Sequence, residues 1–416
     1  MLQGFGRLFN RHRTVFLSTM AAASRASSSR CASSMPPFKG KVELHVHLDG
    51  AMRPETLFDV ATKRGLQLPA SDAVGLRKYC CYHEEDEHSL KRFLDSFDFF
   101  LPLIQGDLQA VERIAYEFCE DQAKSNILYS EPRFCPHLLA TSVVWDHYVK
   151  RRYISEGQRI VDEQRPVVTP SDVVDAVCRG FDIGMADTGV MVRSILCCMT
   201  HRPDLSMEIV QLAEKFKDRG VVGIDLAGME GAVPMDEHKP AFERARELSI
   251  HRTVHAGEIG VAKNVETAIE TLHAERIGHG YAVVDNTRVY DFVKQQGTHL
   301  EACIYSSHLT GALKTFNIDH HPVKRLASRR HSIAFLHSVE EASWVVCVLH
   351  YHCIGVACHI TSMMASACSC AGVWDLSHRV HMDACVHVCV CGCVCAGVCM
   401  WECALCVGQC TVHARK

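Results

Sequence analysis

Seven short runs rich in β-branched residues, each separated from the next by longer polar and amphipathic stretches, constrain this chain more than any other feature. The runs are Val42–Leu48, Ile127–Phe134, Val190–Met199, Val221–Ala227, Arg252–His255, Arg276–His279 and His299–Ser306. Between them lie Leu90–Ile104, Val111–Lys124, Met207–Lys217, Lys239–Leu248 and Val265–His273, whose apolar residues recur at helical spacing. Crossovers of that length pair strands in parallel, which makes the chain an α/β protein. Polar residues gather at the C-terminal ends of the runs, as in a (β/α)8 TIM barrel, where the loops after the strands carry the chemistry. There is no internal repeat, and the Gly-x-Gly pairs lack the surroundings of a dinucleotide fingerprint.

The first run and the two residues that follow it give Leu44-His45-Val46-His47-Leu48-Asp49-Gly50. A strand alternates its faces, so His45, His47 and Asp49 are expected on one side, with Val46 and Leu48 on the other. Two imidazoles followed by a carboxylate suit a divalent metal, since zinc takes neutral histidine nitrogens. Three more strand ends add polar groups: Val254-His255-Ala256-Gly257-Glu258, Ile277-Gly278-His279-Gly280, and Asp225-Leu226-Ala227-Gly228, whose last glycine allows a ligand close to bare backbone. Taken singly, these are a core histidine, a solvated acid and a turn. Taken together, they describe metal-assisted hydrolysis. His45, His47 and His255 would hold a metal that lowers the pKa of water. Glu258 would carry a proton to or from a reacting nitrogen, and His279 would orient or deprotonate the water or stabilise an oxyanion.

The remaining composition narrows the class. A net charge of −4 over 416 residues argues against a nucleic-acid partner, and no apolar stretch is long enough for a membrane span. Of the 23 cysteines, most lie beyond Trp344, while the earlier ones read as reduced core thiols. Residues 1–37 contain no Asp or Glu but carry Arg7, Arg11, Arg13, Arg25 and Arg30 among serines and alanines. They read as a disordered leader, with a mitochondrial transit peptide as the alternative to a cytoplasmic protein. The folded part is expected over residues 38–338, with a Cys-rich tail over 339–416.

Several segments resemble the adenosine deaminase family. These are Leu44-His45-Val46-His47-Leu48-Asp49-Gly50-Ala51, Pro136-His137-Leu138-Leu139-Ala140, Arg193-Ser194-Ile195-Leu196-Cys197-Cys198-Met199, Asp225-Leu226-Ala227-Gly228, His251-Arg252-Thr253-Val254-His255-Ala256-Gly257-Glu258 and Leu309-Thr310-Gly311-Ala312. The similarity runs from about Phe38 to Leu326. It implies a barrel with one Zn2+ per chain that converts adenosine and 2′-deoxyadenosine to their inosine counterparts, releasing ammonia. By resemblance, His45, His47 and His255 are zinc ligands, Glu258 protonates purine N1 and His279 assists the attacking water. Asp49, with help from His47, would hold the ribose 5′ hydroxyl, and the Gly228 N–H would reach a purine nitrogen. Leu90, Phe93, Leu94 and Phe97 match the family's apolar lid helix, a spacing that a core helix shares. The implied partner is a small purine nucleoside, and the oligomeric state is left open.

The pattern then breaks. The family's eighth strand ends in Ser-Leu-Asn-Thr-Asp-Asp-Pro, its first Asp a zinc ligand and its second a contact to the water and purine. This chain has no Asp-Asp pair, and an ungapped count puts Ser338 and Val339 in those places. Ile304 and Tyr305 also replace a Pro-Trp. The tail segment Val388-Cys389-Val390-Cys391-Gly392-Cys393-Val394-Cys395 reads as a translated GT dinucleotide repeat, a gene-model artefact rather than a thiolate metal module. The eighth strand is therefore expected to be missing, or replaced by Ile333–Leu336, which would bring His337 or Glu340 near the metal. A chain so altered should be a poor enzyme or none. The alternatives are a non-catalytic zinc- or purine-binding remnant, or a deaminase of another adenine nucleotide such as AMP. The nucleotide would require a basic pocket where this chain offers Asp49.

Overall fold

The computed structural model describes residues 40–82, 86–143, 167–312, 321–328 and 333–335. The leader, the Cys-rich tail, Ser338, Val339, His337 and Glu340 lie outside the described residues. Among the described residues there are nine strands: β1 (Lys41–His47), β2 (Ile127–Phe134), β3 (Met191–Val192), β4 (Ser194–Met199), β5 (Val221–Ala227), β6 (His251–Ala256), β7 (Arg276–His279), β8 (His299–Ala302) and β9 (Ile333–Phe335). Every pairing is parallel. The order is β1-β2-β4-β5-β6-β7-β8-β9, with the short β3 beside β2. Helices joining successive strands complete a nearly closed (β/α)8 barrel, whose chemistry belongs at the C-terminal strand ends. Among the described residues, no helix is long and apolar enough to cross a membrane. The eight cysteines described are all free and buried, as core thiols are.

Three local readings change, and one of two alternatives is decided. The run expected over Val190–Met199 is two strands, because the Arg193 N–H donates to Ser130 O while the Ser194 N–H turns to Gly220 O. β8 stops at Ala302, and Ile304–Leu309 is helical, not extended to Ser306. Ile304 and Tyr305 look strand-like in isolation. The barrel strand ends at the pocket, however, and the Ser307 N–H bonds back to Cys303 O. β1 likewise stops at His47, so Asp49 sits in a single 3-10 turn instead of on the strand face. Finally, Ile333–Phe335 does act as the substitute strand, pairing Leu300 with Ile333 and Ala302 with Phe335. The eighth place is filled. Among the described residues, though, no pairing joins β9 to β1.

Packing around the barrel explains why these elements form where they do. Phe100, Phe118, Phe134 and Phe242 are almost wholly buried in one continuous apolar core, each stabilising the fold by roughly 1.5–3 kcal/mol. Helix starts are capped by side chains: Asp107 accepts from the Ala110 N–H, and Thr169 and Asp172 form a reciprocal capping box. The helices Leu108–Lys124 and Pro170–Thr188 lie unusually close, for a Cβ built on Gly184 would be 2.6 Å from Cys119 Cβ. Only a missing side chain permits that approach. Gly184→Ala should therefore cost about 1–3 kcal/mol through overpacking, seen as a lower urea midpoint; an unchanged midpoint would mean the two helices can part freely.

Candidate metal centre and its pocket

Strand register assembles the site. β6 and β7 pair so that His255 lies beside Gly278 and Ala256 beside His279. A Cβ on Gly278 would come within 2.8 Å of His45 Cε1, so the His45 ring rests directly on β7 backbone. The His45 ring centroid is 4.5 Å from that of His255 and 5.6 Å from that of His47. One ligand atom from each of these three residues falls within 4.8 Å of the others. His47 Nε2 and His255 Nε2 are 3.2 Å apart. Two nitrogens on a tetrahedral zinc, each at about 2.0–2.1 Å, are separated by roughly 3.3 Å. The three rings therefore fit one ion. Burial holds His45 and His47 well below the usual imidazole range, which leaves them neutral, as a ligand must be.

The rings are aimed from behind. His45 Nδ1 is 2.8 Å from Glu301 Oε2, which leaves Nε2 with its lone pair free. His255 Nδ1 is 2.9 Å from Asp225 Oδ2, close enough for attraction although off the direction of a ring N–H. Burial would lower the His255 pKa, but Asp225 outweighs it and the net shift is upward. Arg133, fully buried, donates to Asp225 Oδ2 and Glu301 Oε2 at 2.8 Å each. Arg276 Nε lies 2.6 Å from Glu301 Oε1. Burial would raise the Glu301 pKa, yet Arg133 and Arg276 pull it down to about 2.

A cavity of about 260 Å³ opens beside these rings, near the small end for a ligand site. Glu258 enters it from the loop after β6, its Oε1 accepting from Thr310 Oγ1 at 3.1 Å and its Oε2 3.6 Å from His279 Nε2. Burial raises the Glu258 pKa. His279 ends β7 in a left-handed conformation, φ 66°, that non-glycine residues seldom adopt. Among the described residues its Nδ1 has no hydrogen-bond partner, and burial pushes its pKa down to about 3. Asp49 Oδ2 accepts from the Cys135 N–H at 3.1 Å, its Oδ1 lies 3.8 Å from His47 Nδ1, and burial raises its pKa to about 7. Gly228, at φ +114°, lines the same cavity, where a Cβ would meet Thr200 Oγ1 at 3.0 Å. Leu90, Phe93, Leu94 and Phe97 supply an apolar wall, and no Lys or Arg lines the cavity among the described residues. A second trio, His45, His279 and Cys303, has ligand atoms within 4.8 Å. Burial pushes the Cys303 thiol up, away from the thiolate form a metal takes.

All seven residues singled out from the sequence, His45, His47, Asp49, Gly228, His255, Glu258 and His279, border this one cavity. The supporting residues Glu301, Arg133 and Thr310 were not singled out. The one signal for Glu301 and Arg133 is a charge inside an apolar strand, as in Leu300-Glu301-Ala302, and Thr310 lies in the Leu309-Thr310-Gly311-Ala312 segment of the family resemblance. Glu301→Gln should weaken zinc binding on the order of ten- to a hundredfold, measured by competition with a chelator. Because the folded Glu301 pKa lies below the ordinary 4.5, its stabilisation is complete above about pH 4.5 and disappears as pH falls toward 2. The wild-type urea midpoint should drop across that window, and the variant's should drop less.

A family model described as "Adenosine deaminase" matches residues 40–336. The adenosine deaminase of Danio rerio is 46% identical over 281 residues, 66% of this chain and 73% of that protein. That of Bos taurus is 44% identical over 294 residues, 69% and 76% of the two chains. Among solved structures, arabidopsis ADAL complexed with IMP superposes with a TM-score of 0.56 at 25% identity, covering 71% of this chain and 79% of that one.

Proposed function

The chain belongs to the adenosine deaminase family, and from that premise we propose that its substrates are adenosine and 2′-deoxyadenosine, with one Zn2+ held by His45, His47 and His255. The observation that carries the reading is the convergence of those three rings with Glu258 and His279 on a single, largely apolar cavity. When bound, the ion supplies Lewis acidity, making water a stronger acid near neutral pH.

The remaining chemistry falls to the protein's own groups. Burial keeps a proton on Glu258 to higher pH than usual, and that proton goes to purine N1, leaving C6 electrophilic. Water oxygen bonds to C6 while its proton passes to the neutral His279. The C6–N bond then breaks, the His279 proton leaves with the amine as ammonia, and the new hydroxyl proton returns to Glu258. Asp49, with His47 beside it, accepts from the ribose 5′ hydroxyl, and the Gly228 N–H donates to a ring nitrogen. A nucleotide such as the IMP in arabidopsis ADAL carries a phosphate. The absence of Lys and Arg among the described cavity-lining residues favours the nucleoside. The eight buried free thiols fit a reducing compartment, and the cytoplasm is the location proposed.

One observation favours a second reading, a remnant that binds without turnover. The chain has no Asp-Asp pair to complete the metal shell and steady the nucleophile. Losing groups behind a metal ligand costs about ten- to a hundredfold, and losing both acids should cost at least that much. The full chain, loaded with zinc, should bind adenosine more tightly than AMP by calorimetry. It should release ammonia at about a hundredth or less of the rate of an intact relative. Failure to bind zinc or nucleoside would overturn the family chemistry for this chain, and tighter binding of AMP would overturn the nucleoside preference. Turnover equal to an intact relative would show that the missing acids are replaced.

A further inference from the structure

Glu230 lies two residues past Gly228, in the loop after β5, and its carboxylate faces the loop that follows β6. Oε1 accepts from the Gly257 N–H at 2.7 Å and from Asn264 Nδ2 at 2.8 Å. Oε2 accepts from the N–H groups of Glu258, Ile259 and Gly260 at 3.1, 3.1 and 2.9 Å. Four consecutive backbone amides thus surround one carboxylate, an anion nest whose anion is built into the chain. Among the described residues Glu230 forms no ion pair, so its charge is met by these amides and one side-chain amide. The turn they make demands its glycines. Gly257 is left-handed at φ +68°, and a side chain on Gly260 would run into Glu230 and Asn264.

The second residue of this turn is Glu258. Its side chain has one close hydrogen bond, to Thr310, so where its carboxyl sits depends on the backbone beneath it. We infer that Glu230 is a positioning residue, whose carboxylate fixes the 257–260 turn and so holds the Glu258 carboxyl against the face of the cavity that a purine N1 would meet. The inference deepens the proposed deaminase reading and rests on it for the identity of the reacting atom. The turn itself does not depend on that reading.

Two measurements on the full, zinc-loaded chain test it. Hydrogen exchange reads the turn directly. Glu230→Gln replaces an acceptor oxygen with an NH2 group facing backbone N–H donors, and amide exchange at 257–260 should accelerate about tenfold or more, with the rest of the barrel unchanged. Calorimetry with adenosine and with 1-deazaadenosine, which has CH in place of N1, reads the consequence. The wild type should prefer adenosine about tenfold, and in Glu230→Gln the ratio should fall toward one. Gly260→Ala keeps the carboxylate but obstructs the nest, so it should reproduce both effects and stands in should Glu230→Gln fail to fold. Asn264→Ala leaves the four backbone bonds and should change neither readout. Wild-type exchange at 257–260 in both loop variants would overturn the inference, as would faster exchange with an undiminished adenosine preference. If the wild type shows no preference for adenosine, the deaminase reading fails, and the exchange result alone decides whether Glu230 fixes the turn.

Discussion

A single buried carboxylate, Glu301, is shared by an imidazole of the candidate metal centre and two guanidinium groups, and the interior of the barrel is arranged around it. His45 comes from β1, Arg133 from β2, Arg276 from β7 and Glu301 from β8. A charge in that environment is costly unless paired and hydrogen-bonded. Each of the four strands therefore constrains the others through it. Ring orientation at the candidate metal centre is thereby tied to the way these four strands meet.

Around that floor, three of the cavity-lining groups come from short turns. His279 holds a left-handed backbone, Asp49 sits in a 3-10 turn, and Glu258 rides on a turn clamped by Glu230. Of these turns, the left-handed one at His279 costs free energy of order 1–3 kcal/mol and persists only because the surrounding structure over-determines it. Their benefit is direction. A carboxyl, an imidazole and a second carboxyl reach one cavity from three separate strand ends, in surroundings dry enough to shift their proton affinities.

The eighth place in the barrel is taken by a short strand, β9. β9 restores the hydrogen bonding of the β8 edge, which answers the backbone's need for partners. It does so in a chain that has no Asp-Asp pair. Backbone pairing tolerates almost any side chain, whereas a metal shell tolerates very few. A substitute segment can therefore repair the sheet and leave the chemistry incomplete.

Several features were legible without coordinates. Strand–helix alternation named the barrel, and the strand-end motifs of β1, β5, β6 and β7 named the residues around the cavity, because periodicity and strand ends are local properties. Glu301 and Arg133 were illegible because their partners lie 256 and 168 residues away along the chain, and a lone charge in an apolar strand has no local meaning. Glu230 was hidden for a related reason, since a nest of backbone N–H groups leaves no mark in side-chain types. The helix at Ile304–Leu309 defeated its own β-branched start, because the end of a barrel strand is set by the neighbouring strands. Sequence by itself determined which groups exist and which way each strand presents them. The tertiary structure decided which of them meet, because desolvation makes every buried charge depend on residues far away in the chain.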